Sequence, residues 1–282
     1  MENHNQPLIS VVAAVLNNEK TIQRFIDSVT QQTYPNIELI IMDGGSTDGT
    51  VDILRRNTDR ITYWESKKDK GIYDAWNKAL ERVTGEWIIF LGADDYLRDS
   101  NVFEKIVPYL PVDNNRSTIV YAQAVVVNEK GDELEVIGRP WNQIKHIFPQ
   151  IMGIPPPATL YNRQYFDTHG KFDSSFRIAG DYEMLLRELK TSDAIFIQNI
   201  ILTAMQHGGI SSNPENFIIS LKEMRIAQKK HGYKMPGIYW IISYAKVRLR
   251  FLLWKLLGKN FTAQFLDWGR HITGKNPFWT RI

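Results

Sequence analysis

Three turns in the first hundred residues carry groups able to do chemistry: Asp43-Gly44-Gly45, the polar stretch Ser66 to Gly71, and Asp94-Asp95. Carboxylates repel a phosphate ligand unless a cation bridges them. Mn2+ or Mg2+ takes oxygen ligands, commonly one or two carboxylates plus the substrate's own phosphates. Asp43 has a second option, accepting hydrogen bonds from a base or ribose while Gly44 and Gly45 let backbone approach closely. Each also has a plain structural reading: Asp43-Gly44-Gly45 as a turn leading to a helix cap, and Asp94-Asp95 as a pair of helix-capping acids. Cysteine is absent, which removes thiol nucleophiles, disulfides and cysteine metal sites.

The elements that must position these turns follow from apolar periodicity. Leu8 to Leu16 (LISVVAAVL), Ile37 to Met42 (IELIIM), Ile61 to Glu65 and Glu86 to Leu91 (EWIIFL) read as strands, the most apolar of them buried on both faces. Helical spacing appears between them: Glu19 to Gln32, with Asn17 and Asn18 available as caps; a helix through Arg56 capped by Ser46 or Thr47; and Ile72 to Arg82. Strands alternating with helices imply a parallel sheet with right-handed crossovers, whose ligands bind at the carboxyl ends of the strands. After Asp95 the rhythm changes. Ile119 to Val127 and Glu133 to Ile137 form a hairpin pattern, and Pro155-Pro156-Pro157 predicts an extended segment before Ala158 to Tyr161. A helix from Asp181 to about Lys190, strands at Ala194 to Ile197 and Ile201 to Met205, and a helix over Phe217 to Lys230 complete the pattern.

Five stretches, in order, give the sequence its identity: SVVAAVLNN (10–18), DGGSTDGT (43–50), DKGIYDAWNKAL (69–80), GEWIIFLGADD (85–95) and IAGDYEMLL (178–186). The chain resembles the family 2 glycosyltransferases of the GT-A fold over roughly Leu8 to Ser212; singly the motifs are weak, together they are specific. The resemblance implies an α/β fold with a Rossmann-like, mostly parallel sheet and helices on both faces. It also implies that Ala14 and Leu16 contact the nucleotide base through backbone, that Asp43 holds the base, and that Lys70 contacts the nucleotide. Asp94-Asp95 matches the acidic metal motif, with Asp95 on Mn2+ or Mg2+ and Asp94 on the ribose or the metal. Relatives often carry a further aspartate where this chain has Gly92. Asp181 matches the general base, which takes the acceptor hydroxyl's proton as it attacks the anomeric carbon in one inverting displacement; the plain alternative is an N-cap of the following helix. Relatives often have an acid at the position of Gly180. Met205 to Ser212 resembles the loop that closes over the donor, and His207 is a candidate for the diphosphate or metal beside the commoner structural role. Ala158-Thr159 and Tyr161 border the acceptor side, Tyr73 and Trp76 read as core, and Glu183 reads as a solvated position or an acceptor contact.

The implied reaction moves a sugar from a nucleotide-sugar, commonly a UDP-sugar, to a glycan or lipid-linked acceptor. A non-catalytic nucleotide-sugar-binding or assembly subunit is the alternative. A nucleotidyltransferase would need a glycine-rich basic loop after the first strand, where this chain has Leu16-Asn17-Asn18-Glu19. The whole chain, 282 residues with 43% hydrophobic and 23% charged residues, has the composition of a folded protein. Its charge is uneven. From Met235 to Ile282 eight basic residues face one acid, Asp267, giving +7 and leaving −4 for the preceding residues out of a total of +3. The reading is a GT-A domain over 1–214 and a helical extension over 215–282. In the latter, 236–282 reads as an amphipathic contact for a membrane, with Trp240 and Trp254 at headgroup level, rather than for nucleic acid; the plain alternative is a core helix covered by the catalytic domain or a dimer partner. The polar start, MENHNQP, lacks a signal-peptide pattern, so the expected location is cytoplasmic, on the inner face of the membrane. Nothing in the sequence specifies an oligomeric state.

Overall fold

The structure, a computed structural model, describes residues 6–111, 117–209 and 214–282, with backbone alone at 214 and 215. Residues 1–5 of the polar start and 210–212 of the expected donor loop lie outside the described residues.

The first half alternates as its apolar periods dictate: β1 (Ile9–Val15), α1 (Ile22–Thr30), β2 (Ile37–Asp43), α2 (Thr50–Arg56), β3 (Tyr63–Ser66), α3 (Ile72–Ala79) and β4 (Trp87–Gly92). These strands lie side by side in the order β3-β2-β1-β4, all parallel. Because successive strand residues point to opposite faces, β1 feeds two cores. Ile9, Val11, Ala13 and Val15 pack with Phe25 and Ile26 of α1, whereas Val12 packs with Tyr73 and Trp76 of α3. Helices therefore cover both faces of the sheet, as the alternation required.

The second half extends the same sheet with mixed pairing. It comprises β5 (Tyr96–Leu97), α4 (Val102–Ile106), β6 (Ile119–Val127), β7 (Glu133–Ile137), α5 (Trp141–Ile144), β8 (Thr159–Asn162), α6 (Gln164–His169), α7 (Gly180–Leu189) and β9 (Ile195–Gln206). The hairpin read from Ile119 to Ile137 is present as antiparallel β6–β7. β8 joins β4 to β6, antiparallel to both, and β9 runs parallel to β6. The two short strands read at Ala194–Ile197 and Ile201–Met205 are instead one strand. Asn199 sits inside it at φ 63°, and the register against β6 shifts on either side of Gln123. A polar residue in the left-handed region is the signature of a bulge, which interrupts a strand's pattern without ending it. Of the three prolines only Pro155 stays extended, since Pro156–Ala158 tightens into a single 3-10 turn.

Two capping expectations also give way. The carbonyl of Asn18, not a side chain, takes the first N–H groups of α1, and α2 begins only at Thr50, behind Gly49. Asn17, Asn18, Ser46 and Thr50 bond the two loops to each other instead: the N–H of Asn17 donates to Ser46 Oγ (2.7 Å) and that of Asn18 to Thr50 Oγ1 (2.8 Å).

Three helices close the chain: α8 (Pro214–Lys230), α9 (Ile238–Leu257) and α10 (Lys259–Ile272). α8 packs on α7, α9 on α8, and α10 on α9.

Candidate active site at the carboxyl edge of the parallel strands

Strand register decides which turns meet. Val15 lies opposite Asp43, Asp43 opposite Ser66, and Ala14 opposite Gly92. With parallel strands about 4.8 Å apart, the ends of β3, β2, β1 and β4 form one continuous edge carrying Ala14, Leu16, Asp43 and the Asp94-Asp95 turn. Leu16 projects just beyond β1, largely exposed. Asp43 is buried, and its carboxylate accepts from the N–H groups of Gly45 (3.1 Å) and Ser46 (3.0 Å), from Ser66 Oγ (2.6 Å) and from Ser46 Oγ. The residue thus shapes the 44–46 loop, and a base contact would add to these four bonds or displace one. Gly44 leaves room for Asp69, whose Oδ2 lies 2.7 Å from where a Cβ would stand. Lys70, next along, is exposed on the same rim.

Asp94 and Asp95 follow β4 in a turn closed by the N–H of Asp95 donating to Gly92 O (3.1 Å), and a strand rather than a helix comes next. They therefore cap nothing. The end of β9 lies against them: the N–H of Gln206 donates to Asp95 Oδ1 (3.0 Å). Arg24 of α1 clamps the same junction, donating to Asp94 O (2.9 Å) and Gln206 Oε1 (2.6 Å). Gly92 and Gly209 flank the acids; a Cβ on Gly92 would stand 2.6 Å from Asp94 Oδ1, and one on Gly209 2.9 Å from Asp94 Oδ2. Burial pushes the Asp95 carboxyl well above the usual range, and the neighbouring Asp94 charge pushes it further; burial also raises Asp94.

This pair fits a divalent cation. Two adjacent carboxylates resist ionisation together, and the Arg24 guanidinium, which donates to carbonyl and amide oxygens, offsets this only in part. Among the described residues no group of three or more histidine or acidic side chains is arranged to hold a metal.

Asp181 enters from the other half of the fold. It lies inside the first turn of α7, whose N-cap position is Ala179, so it is not the helix cap. Its Oδ1 accepts from the N–H of Tyr182 (2.8 Å) and lies 3.4 Å from Tyr73 Oη. Tyr73 comes from the first turn of α3, directly after the β3 turn that carries Asp69 and Lys70, and α3 packs on β1 and β2. The tyrosine therefore ties Asp181 to the carboxyl edge. Its hydroxyl donates to Ile178 O (2.6 Å) and accepts from the N–H groups of Gly180 (2.8 Å) and Asp181 (3.3 Å). Burial pushes the Asp181 carboxyl up to about 6, against hydrogen bonds that favour its charged form. Behind the loop, the Glu223 carboxylate of α8 accepts from the N–H groups of Arg177 (2.9 Å), Ile178 (2.8 Å) and Ala179 (2.8 Å). α8, grouped by sequence with the C-terminal extension, is thus bonded to the segment that presents Asp181.

Four positioning residues escaped the sequence reading: Tyr73, Arg24, Gln206 and Glu223. Tyr73 stood within a quoted motif, where its spacing to Trp76 pointed to the core, and Gln206 within the Met205 to Ser212 stretch read as the donor loop. Tyr73 is buried there, but its hydroxyl is a hub. The other residues singled out have structural partners. His207 donates its N–H to Val127 O (2.7 Å) and sets its ring edge-on to Phe278 at 5.5 Å, and burial lowers its pKa. Glu183 is neither solvated nor free for an acceptor: it is wholly buried and paired with Arg187, Lys230 and His231. Ala158, Thr159 and Tyr161 are buried along β8.

Residues 10–170 match the family model for glycosyl transferase family 2. The chain belongs to that family. Among curated proteins it is 26% identical over 211 residues to the PGL/p-HBAD biosynthesis glycosyltransferase of Mycobacterium tuberculosis strain H37Rv, covering 73% of this chain and 80% of that one. It is 28% identical over 218 residues to a glycosyltransferase of Rickettsia typhi, covering 75% and 68%. Among solved structures it resembles S. aureus TarS residues 1–349 in complex with UDP-GlcNAc, with a TM-score of 0.61 and 17% identity over 85% of this chain and 71% of that one; it spans 43% of the longer TarS structure. It also resembles the mannosyltransferase PcManGT of Pyrobaculum calidifontis in complex with GDP-Man and Mn2+, at a TM-score of 0.60 and 16% identity over 97% and 83%. At such identities the likeness establishes a common GT-A-type fold.

Proposed function

We propose that this chain is an inverting glycosyltransferase that moves a sugar from a nucleotide-sugar, in the first instance a UDP-sugar, to a hydroxyl of a lipid-linked or surface-polysaccharide precursor. The observation that supports the reading is the bonding of Tyr73, on the helix that follows the β3 turn, to Asp181. A carboxyl with a pKa of about 6 is ionised at neutral pH yet basic enough to take a proton from an alcohol as it attacks. Asp181 is the base in this scheme. Inversion follows if the deprotonated hydroxyl displaces the diphosphate directly from the opposite face in one step.

The backbone at Ala14 and Leu16, the 44–46 loop shaped by Asp43, and Lys70 on the rim form the nucleotide side. Asp95 and Asp94 would hold Mn2+ or Mg2+, which when bound neutralises charge on the departing diphosphate. The proposed division is a GT-A domain over 1–214 and an extension over 215–282. Within the latter, 236–282 makes peripheral contact with the inner face of the membrane, where a lipid-linked acceptor would be presented. No helix among the described residues is long and apolar enough to cross a membrane.

The test is a thermal-shift screen of nucleotide-sugars with and without Mn2+, followed by transfer assays on Asp181→Asn. A ligand that binds the folded state raises its melting temperature. The proposal requires one donor whose stabilisation Mn2+ enhances, and a variant that keeps this shift while losing transfer. A variant that still transfers removes Asp181 from the base role.

A further inference from the structure

α9 is two-sided in an unusual way. At about 100° per residue, Ile238, Ile242, Leu249, Leu252 and Leu256 fall in one stripe along the helix. All are exposed, Leu249 by 56% and Leu256 by 68%. The opposite side is packed: Val247 and Arg250 are buried, with the Arg250 guanidinium 4.5 Å from the Trp279 ring centroid and 5.0 Å from that of Phe217. The outward stripe is bordered by cations, Lys246 on one side and Arg248 and Lys255 on the other, all exposed and in no ion pair among the described residues. α10 repeats the device. Phe261, Phe265, Trp268 and Ile272, at helical spacing, are exposed, Trp268 by 61%.

These helices are not loose. Trp240 Nε1 donates to Leu221 O (2.7 Å) and stacks on Tyr244. The Asp267 carboxylate accepts from the N–H groups of Phe278 (2.8 Å), Trp279 (2.9 Å) and Thr280 (2.8 Å), fastening the chain end beneath α10. Trp240 and Trp254, read as headgroup anchors, therefore face the protein, Trp254 against Arg250 at 5.4 Å. Trp268 is the outward tryptophan.

We infer that the exposed faces of α9 and α10 form a docking surface for an anionic lipid bilayer, their apolar stripes entering the headgroup boundary and Lys246, Arg248 and Lys255 reaching lipid phosphates. The inference rests on the proposed peripheral membrane contact of 236–282 and assigns it a face and a lipid chemistry. Charge selects the occupant. A second copy of the chain would bring unpaired cations against like cations, whereas an anionic leaflet satisfies them while the stripe leaves water. An aromatic ring bearing a polar N–H, as at Trp268, suits the same boundary.

The test is co-sedimentation of the full chain with phosphatidylcholine vesicles, with and without phosphatidylglycerol, alongside Trp268→Phe, Leu249→Glu/Leu252→Glu and Lys246→Glu/Lys255→Glu variants. Wild type should pellet only with anionic vesicles, less at high salt, and its tryptophan emission should shift to the blue in a Trp268-dependent way. Both double variants should lose at least tenfold in vesicle affinity. The substituted side chains are exposed, so donor-induced thermal shift in the same samples should stay unchanged. Wild type that stays in the supernatant at every composition overturns the inference. So does vesicle binding unaffected by the variants, or a wild-type dimer in light scattering that Leu249→Glu/Leu252→Glu dissolves. Wild type that binds no vesicles but keeps its donor shift strikes this inference and the membrane contact it rests on, leaving the transferase reading standing; a missing donor shift strikes the transferase reading alone.

Discussion

The Tyr73 hydroxyl lies 3.4 Å from the Asp181 carboxylate and accepts a hydrogen bond from the Asp181 N–H, so a helix of the first, parallel half of the fold fixes a carboxylate of the second half. The hydroxyl has one proton, which it shares between the nearer carbonyl of Ile178 at 2.6 Å and, more weakly, the Asp181 carboxylate at 3.4 Å. Removing it in Tyr73→Phe leaves that carbonyl without its donor and two N–H groups without their acceptor. The cost in stability should be about 1–3 kcal/mol. Transfer should fall about 10- to 100-fold as the base loses its orientation, with the donor KM little changed. Because the nearby hydroxyl favours the charged carboxylate, the acidic limb of the pH–rate profile should move to higher pH. A uniformly unstable enzyme with an unmoved limb would make Tyr73 merely structural.

Asp181 makes a paired prediction in pH. Its folded pKa of about 6 lies above the ordinary 3.8, so the native state binds this proton more tightly than the unfolded chain does. The contribution to stability grows as pH falls from about 6 towards 3.8 and is lost as pH rises through 6. Transfer runs the other way, because the base must be ionised, and kcat should drop below pH 6. Asp181→Asn keeps an acceptor for the Tyr182 N–H and removes the charge. It should melt higher than wild type at pH 7.5, with the gap closing towards pH 4. A lower melting temperature at pH 7.5 would mean that the fold does not resist this charge.

How much of this was legible depends on whether the signal was local. β1, β2 and β4 show as apolar runs because both faces are buried, and α1 shows as Ile22, Phe25, Ile26 and Val29 on one face. Asp43, Asp94 and Asp95 were visible as turns at strand ends, and register then put them on one edge. β9 was split in two because a bulge at Asn199 imitates a turn. Tyr73, Arg24 and Glu223 were not legible because they work through partners 108, 70 and 44 or more residues away in sequence. No periodicity carries that information. In α9 the sequence showed mixed cations and apolar residues; only packing shows that Arg250 turns inward while Lys246, Arg248 and Lys255 border the outward stripe.

Gly92 stands where the family resemblance implies an acid, and the structure shows what a side chain there would meet. A Cβ there would come within 2.6 Å of Asp94 Oδ1 and 3.3 Å of Asp95 Oδ2. Both contacts are with ends of side chains, so Gly92→Ala should fold and displace Asp94 rather than break the strand. The apparent affinity for Mn2+, read as the metal dependence of UDP-induced thermal shift, should weaken about tenfold, the scale of a disturbed ligand environment. Chelation should abolish the metal-dependent part of the shift in both proteins. Unchanged Mn2+ dependence in Gly92→Ala would remove Asp94 from the cation site.

At Gly180, helix propensity and packing predict opposite signs. It is the first residue of α7, and alanine in place of glycine within a helix gains up to about 1 kcal/mol, less at the first turn. Against this, a Cβ would stand 2.7 to 2.9 Å from three carbons of the Tyr73 ring. That ring is held from several directions, edge-on to Trp76 at 5.5 Å and stacked on Phe172 at 5.6 Å, and its hydroxyl is fixed by the Gly180 and Asp181 N–H groups. It cannot retreat without disturbing the core, and overpacking of this kind costs about 1–3 kcal/mol. The clash should win, so Gly180→Ala lowers the melting temperature and, by pushing the hydroxyl off Asp181, reduces transfer as Tyr73→Phe does. In the double variant Gly180→Ala/Tyr73→Phe the ring carbons still clash, so the stability losses should persist while the losses in transfer fail to add. Fully additive losses in transfer would show that the glycine and the tyrosine act on Asp181 by separate routes.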